Sequence, residues 1–193
     1  PGMKYVMGGL AQLKLQYIKE MKKWYQKNRP DAKFVPDVIN LHHYCNEDDR
    51  GISPEADQLR LKAEKITAWR DKNHPEAEVW ISEFGWDTNP ATSQAAPPIS
   101  NYTNQEVQAQ WLVRGYLALA AAGVDRAFMY MLRDVDAKSS TQYSSCGLVS
   151  EKGEWQPKTS WYYVYTFRNI LSGMQFLEEQ NSGNPDILIY KFK

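Results

Sequence analysis

Residues 79–89 read V-W-I-S-E-F-G-W-D-T-N. The run up to Ser82 has the composition of a short buried strand, and a carboxylate, Glu83, follows at its C-terminal end. Phe84, Gly85 and Trp86 then turn the chain outward into a loop. A charge at the end of a buried strand is costly unless it is paired or used. In parallel α/β folds that end of the strand is where ligands bind. One reading leaves Glu83 solvated or paired with an arginine, since structural ion pairs also perturb carboxylates. The other makes it a reactive carboxylate. Alternation with a period of two puts Val79, Ile81 and Glu83 on one face, aimed into the sheet interior or its mouth.

A second group lies upstream. Asn40, His42 and Tyr44 share one face of the segment 37–44, D-V-I-N-L-H-H-Y. Neighbouring strands lie about 4.8 Å apart, so Tyr44 and His42 are expected at the mouth, one strand from Glu83. A phenol there donates a hydrogen bond to the carboxylate, holding it ionised and oriented as a nucleophile requires. The alternative is that Tyr44 and His42 are ordinary polar residues of the sheet mouth. His42 and His43 are adjacent and point to opposite faces, so they do not make a zinc pair. Cys45 and Cys146 fit no metal-ligand spacing, and a disulfide between them stays open. No metal or cofactor is expected.

The elements that position these residues follow a regular order. Lys4–Leu10 reads as a short buried strand, and Leu13, Tyr17, Met21 and Trp24 then recur at helical spacing to about Asn28. The strand at 37–44 comes next. Ser53 and Pro54 form an N-cap and first-turn pair before a helix carrying Leu59, Ala63, Ile66 and Trp69. The Glu83 strand follows. Thr103 with Glu106 makes a capping box that opens a helix ending at Gly123. A strand over Arg126–Leu132, a helix over Thr159–Leu171 and an alternating tail over Ile187–Phe192 complete the chain.

Strand and helix alternate four times, which implies parallel strands with right-handed crossovers. Four units make either a small doubly wound sheet or half of a (β/α)8 barrel. Connections after helices are short (29–35, 73–77), and connections after strands are long (87–102, 134–157). Barrel enzymes elaborate the strand-to-helix loops in this way. Gly8-Gly9 lies within the first strand and does not match a dinucleotide-binding glycine pattern. Lys plus Arg equals Asp plus Glu, 23 each, which argues against nucleic acid or an anionic membrane as partner. No run approaches the ~18 apolar residues of a membrane helix. The 7 Trp, 12 Tyr and 6 Phe suit stacking faces as well as a core.

The succession D-V-I-N-L-H-H-Y, W-I-S-E-F-G-W and F-M-Y-M-L-R-D resembles strands six, seven and eight of clan A glycoside hydrolases. These are (β/α)8 barrels that hydrolyse glycosidic bonds with retention. K-Y-V-M-G-G-L resembles strand five, and residues 147–171 resemble the loop and helix eight of cellulase-like and β-xylosidase-like members. His42 and Tyr44 match the family's His-x-Tyr at the end of strand six, and Glu83 matches its nucleophilic glutamate at the end of strand seven.

The resemblance covers nearly the whole chain. It implies an α/β fold, the C-terminal half (strands five to eight) of a TIM (β/α)8 barrel over 1–174, then the start of an appended β-rich domain over 175–193. It implies a retaining glycosidase acting on the O-glycosidic bonds of a β-linked glycan or glycoside, with no cofactor. Glu83 would be the nucleophile, with Tyr44 and His42 beside it. Trp86, Asn40, Arg133, Asp134 and Tyr130 would contact the sugar, with core packing the alternative for Trp86 and an internal ion pair for Arg133 and Asp134. The partner would be an oligo- or polysaccharide and the location secreted, periplasmic or cell-surface.

Two departures stand out. The clan's acid/base is a glutamate after asparagine at the end of strand four, and no such strand precedes Lys4; Asn46-Glu47 follows strand six instead. Tyr130–Asp134 stands where the clan often has a tryptophan. The resemblance therefore implies a piece without the acid/base half, expected to be inactive by itself and to self-associate through an open barrel edge. A non-catalytic carbohydrate-binding barrel and an unrelated small α/β enzyme are the other readings.

Overall fold

The computed structural model describes residues 2–32, 34 and 36–193. In chain order the elements are α1 (Leu15–Asn28), β1 (Val38–His42), β2 (Asn46–Glu47), β3 (Arg50–Gly51), α2 (Leu59–Asn73), β4 (Glu78–Phe84), α3 (Asn104–Ala121), β5 (Arg126–Met129), α4 (Thr159–Leu171), β6 (Phe176–Gln180) and β7 (Ile189–Phe192). The central sheet has the order β1-β4-β5, all parallel, with each crossover carried by a helix. β2 and β3 form a short hairpin, and β6 and β7 a second, separate antiparallel pair.

The segment expected as a first buried strand pairs with β1 only at Val6↔Val38 and Leu10↔Leu41, both parallel. Met7 N–H donates to Val38 O at 3.0 Å and Leu10 N–H to Asn40 O at 3.1 Å. It is an exposed edge, not a buried strand: Tyr5 is 74% exposed. Gly8 and Gly9 bring no side chains that could bury it.

The helix signals hold where both partners of a cap are in the sequence. Thr103 Oγ accepts from Glu106 N–H at 3.3 Å, and Glu106 Oε2 accepts from Thr103 N–H at 2.7 Å. Gly123 adopts φ 75° just beyond α3, the left-handed conformation glycine takes at little cost. The Ser53-Pro54 signal falls short of α2. Ser53 Oγ accepts from Ala56 N–H at 3.1 Å, closing a separate turn, and α2 begins only at Leu59, after Gln58 at φ 57°.

The core lies between the sheet and the helices. Ile18, Ile39, Leu41, Leu59, Ile66, Val79, Ile81, Leu112 and Leu119 are all fully buried in it. Each such side chain contributes about 1.5–3 kcal/mol relative to exposure. The opposite face of the sheet carries Trp80, with Phe128 at 6.0 Å and the Arg126 guanidinium at 5.3 Å from its ring. The β6–β7 hairpin lies against α3, and from α2 Arg60 reaches it, bonding Glu179 and lying 5.9 Å from the Tyr190 ring. No helix is long and apolar enough to cross a membrane.

Candidate active site

The alternation argument for Glu83 fails for a specific reason. Val79 and Ile81 pack into the helix-side core, so strict alternation would send Glu83 there too. The register shows what intervenes. Leu41 pairs with Ile81 but His42 pairs with Glu83, so Ser82 and Glu83 face one residue of β1. This bulge reverses the parity of the strand end. Glu83 reaches the sheet mouth, while Phe84 returns to the core against Tyr116 at 4.8 Å.

Tyr44 and His42 arrive from β1. The Tyr44 hydroxyl donates to Glu83 Oε2 at 2.9 Å, and His42 Nδ1 lies 3.5 Å from the same oxygen. Burial first, then the hydrogen bond to Glu83, raises the Tyr44 phenol well above its ordinary value, so it stays a proton donor. Both converge on Oε2, and Oε1 has no partner among the described residues. Asn40, two residues before His42, is buried, and its Oδ1 has no hydrogen-bond partner.

Two glycines make the arrangement fit. A Cβ on Gly9 would overlap the His42 ring. A Cβ on Gly85 would sit 2.7 Å from the Tyr130 carbonyl. Tyr130 N–H in turn donates to Phe84 O at 2.8 Å, which brings the chain after β5 across the end of β4.

A residue the sequence did not single out completes the aromatic wall. The Tyr143 ring lies 4.8 Å from Tyr44 and 6.0 Å from Tyr130. Burial and the nearby Glu83 charge raise its phenol. Tyr143 sits deep in the loop after β5, and the only hint was an aromatic in a long strand-to-helix loop. Asp87, fully buried, holds it there by accepting from Tyr143 N–H at 2.9 Å and Ser145 N–H at 3.0 Å.

Two of the expected sugar contacts do other work. Trp86 is 1% exposed; its Nε1 donates to Ile52 O at 3.0 Å, and its ring meets Trp111 edge-on at 5.6 Å. It is a core residue because the bulge turns the strand end and puts Phe84 and Trp86 on the helix side. Asp134 is buried and accepts from Lys158 Nζ at 3.0 and 2.9 Å and from Gly147 N–H at 2.7 Å, so it is an internal ion pair. Arg133 is half-buried and donates to the Asp134 carbonyl at 2.9 Å. Tyr130 is half-buried beside Tyr143.

Behind Tyr44 lies another polar group. Donor atoms of His43, Cys45 and Asp57, all buried, lie within 4.8 Å of one another. The linear spacing of the cysteines did not reveal this, because Asp57 joins from the turn before α2. Cys45 and Cys146 are both free thiols, so the disulfide alternative does not form. His43, Tyr44, Asp57, Lys62 and Tyr143 line a cavity of about 510 Å³. A larger groove of about 1090 Å³ runs between the β2–β3 hairpin and residues 90–98, away from Glu83. The open face of a short sheet encloses little volume, so the hydrogen-bonded carboxylate marks the site better than cavity size does.

No family model matches the chain, and no curated protein matches it. Solved structures do. A family 39 glycoside hydrolase from the gut symbiont Bacteroides cellulosilyticus WH2 is similar at a TM-score of 0.57 and 16% identity, over 92% of this chain and 43% of that one. A Faecalibacterium prausnitzii β-glucuronidase is similar at 0.47 and 15%, over 86% of this chain and 31% of that one. The catalytic core of xylanase A is similar at 0.47 and 14%, over 78% and 44%. The chain thus spans less than half the length of these structures. On the first of these comparisons, this is the fold of part of a (β/α)8 barrel.

Proposed function

We propose that the chain is the nucleophile-bearing part of a retaining glycosidase that cleaves O-glycosidic bonds in a β-linked glycan or glycoside. The observation that carries this is Glu83, set at the sheet mouth by a bulge and held through Oε2 by the Tyr44 hydroxyl, with His42 Nδ1 3.5 Å from the same oxygen. The free Oε1 is the attacking oxygen. It forms a bond to the anomeric carbon as the bond to the leaving oxygen breaks, and water later releases the sugar from Glu83. Tyr44 stays protonated throughout, orients the carboxylate and disperses its charge. Asn40, Tyr130 and Tyr143 are the proposed sugar contacts, with Arg133 at the rim.

Retention needs a second carboxyl about 5–5.5 Å from the first. Among the described residues the side chains that meet the Glu83 carboxylate are a phenol and an imidazole, so the acid/base is proposed to come from a strand outside this chain. An oligo- or polysaccharide substrate, a secreted, periplasmic or cell-surface location, and assignment of the β6–β7 hairpin to an appended β-rich domain belong to the same proposal.

The test is covalent trapping. A fluorosugar glycoside with a good leaving group is incubated with protein carrying the complete barrel, and the adduct is mapped by peptide mass spectrometry. The adduct is expected on Glu83, with Glu83→Gln giving none. An adduct on another carboxylate overturns the assignment. Tyr44→Phe removes a hydrogen bond to a charged acceptor, typically about 1.5–3 kcal/mol, so turnover should fall about 10–100-fold.

A further inference from the structure

His43 and Cys45 flank Tyr44 in sequence, and both are buried. Asp57 meets them from the turn that precedes α2. His43 Nε2 lies 2.7 Å from Asp57 Oδ2. Lys62 Nζ donates to the other oxygen, Oδ1, at 2.7 Å. The side chains of His43 and Asp57 are 10% and 4% exposed. Nε2 is the ring nitrogen that faces Asp57, and the other, His43 Nδ1, is buried without a hydrogen-bond partner. The cavity of about 510 Å³ opens on His43 and Asp57.

We propose that His43, Cys45 and Asp57 form a binding site for a borderline-soft divalent cation, with Zn²⁺ the best fit and a water from the adjoining cavity as fourth ligand. One imidazole nitrogen, one sulfur and one carboxylate oxygen is a donor set that zinc accepts and that hard cations such as Mg²⁺ and Ca²⁺ do not favour. Zinc bonds of about 2.0–2.3 Å place tetrahedral donors about 3.3–3.8 Å apart. The three donor atoms already lie within 4.8 Å, so the His43–Asp57 pair parts slightly and the sulfur closes in. Lys62 keeps its bond to Oδ1 and fixes the carboxylate for coordination through Oδ2, the outer-shell support that metal ligands usually have.

Binding replaces the thiol proton: the S–H bond breaks, the Zn–S bond forms and the proton leaves to water. Because a proton is released on binding, affinity rises with pH. The site clamps the exit of β1 to the turn before α2, directly behind Tyr44. It stands or falls independently of the glycosidase reading.

The experiment uses the chain stripped with chelator, then dialysed against ZnCl₂ or CoCl₂. A single equivalent of zinc should survive gel filtration and raise the melting temperature. The cobalt form should show a thiolate-to-metal charge-transfer band and intense tetrahedral visible bands. Cys45→Ser should abolish the charge-transfer band, Asp57→Asn should weaken binding at least tenfold, and Cys146→Ser should leave both unchanged. No retained metal, a pale octahedral cobalt spectrum without the charge-transfer band, or a band lost in Cys146→Ser overturns the proposal. The wild-type cobalt spectrum decides even where Cys45→Ser does not fold, because a mononuclear site without a thiolate cannot give that band.

Discussion

Replacing Lys158 with methionine tests what holds the site's loop in place. Lys158 and Asp134 have side chains 7% and 3% exposed, so neither charge is screened by solvent. Besides its two bonds to Asp134, Lys158 Nζ donates to Ser145 O at 2.9 Å and Thr88 Oγ at 3.1 Å. It therefore ties the loop after β4 and the loop bearing Tyr143 to the start of α4. Methionine fills similar volume but leaves the Asp134 carboxylate with one backbone donor, Gly147 N–H at 2.7 Å. Breaking a buried pair from one side costs about 3–5 kcal/mol. Burial already raises the Asp134 carboxyl, which makes the uncompensated charge easier to neutralise, so the cost should fall near 3 kcal/mol, the low end of about 3–5 kcal/mol. At about 2–4 °C per kcal/mol for a chain of this size, the melting temperature should drop by about 6–12 °C at neutral pH. In the variant the folded pKa of Asp134 lies above its unfolded value. The penalty is present above that folded pKa and relieved as pH falls through it, so the deficit should shrink toward about pH 5. Calorimetry at both pH values measures it. A drop under about 2 °C, or a deficit that grows in acid, would refute the buried-pair account.

Three further outcomes follow from the same geometry. Gly9→Ala places a methyl where the His42 ring lies, so the ring should leave Glu83; an unchanged His42 imidazole NMR signal would count against this. Asp57 is held below the ordinary carboxylate range because the bonds from His43 and Lys62 outweigh burial. Its contribution is present above about pH 4 and lost as pH falls through its lower folded value, so Asp57→Asn should flatten the acid limb of urea-melt stability. The edge and open face of the sheet expose Tyr5 and Phe128, the latter 46%, and the chain is expected to self-associate through them; a monodisperse monomer in light scattering at every concentration would refute that.

The parallel order of β1, β4 and β5, the helix stripes and the Thr103–Glu106 cap were legible in the sequence because each depends on neighbours in the chain. Periodicity and capping are local, and alternation of strands with helices restricts the crossovers. The grouping of His42, Tyr44 and Glu83 was also legible, yet for Glu83 the reasoning reached the right face by the wrong route. Val79 and Ile81 face the helices, and only the bulge at Ser82–Glu83 returns the carboxylate to the mouth. A bulge is set by pairing with a second strand, which no single-strand pattern encodes. The same turn of the strand end sends Trp86 into the core, deciding between the two roles its sequence neighbours left open. Asp134 finds Lys158, Asp87 finds Tyr143 and Ser145, and Asp57 finds His43 and Cys45, each across a loop or an element. The residue types showed that these charges needed partners. Which partner each one met was decided by tertiary packing, because a buried charge is stabilised by whatever donor the fold brings within about 3 Å, however distant in the chain.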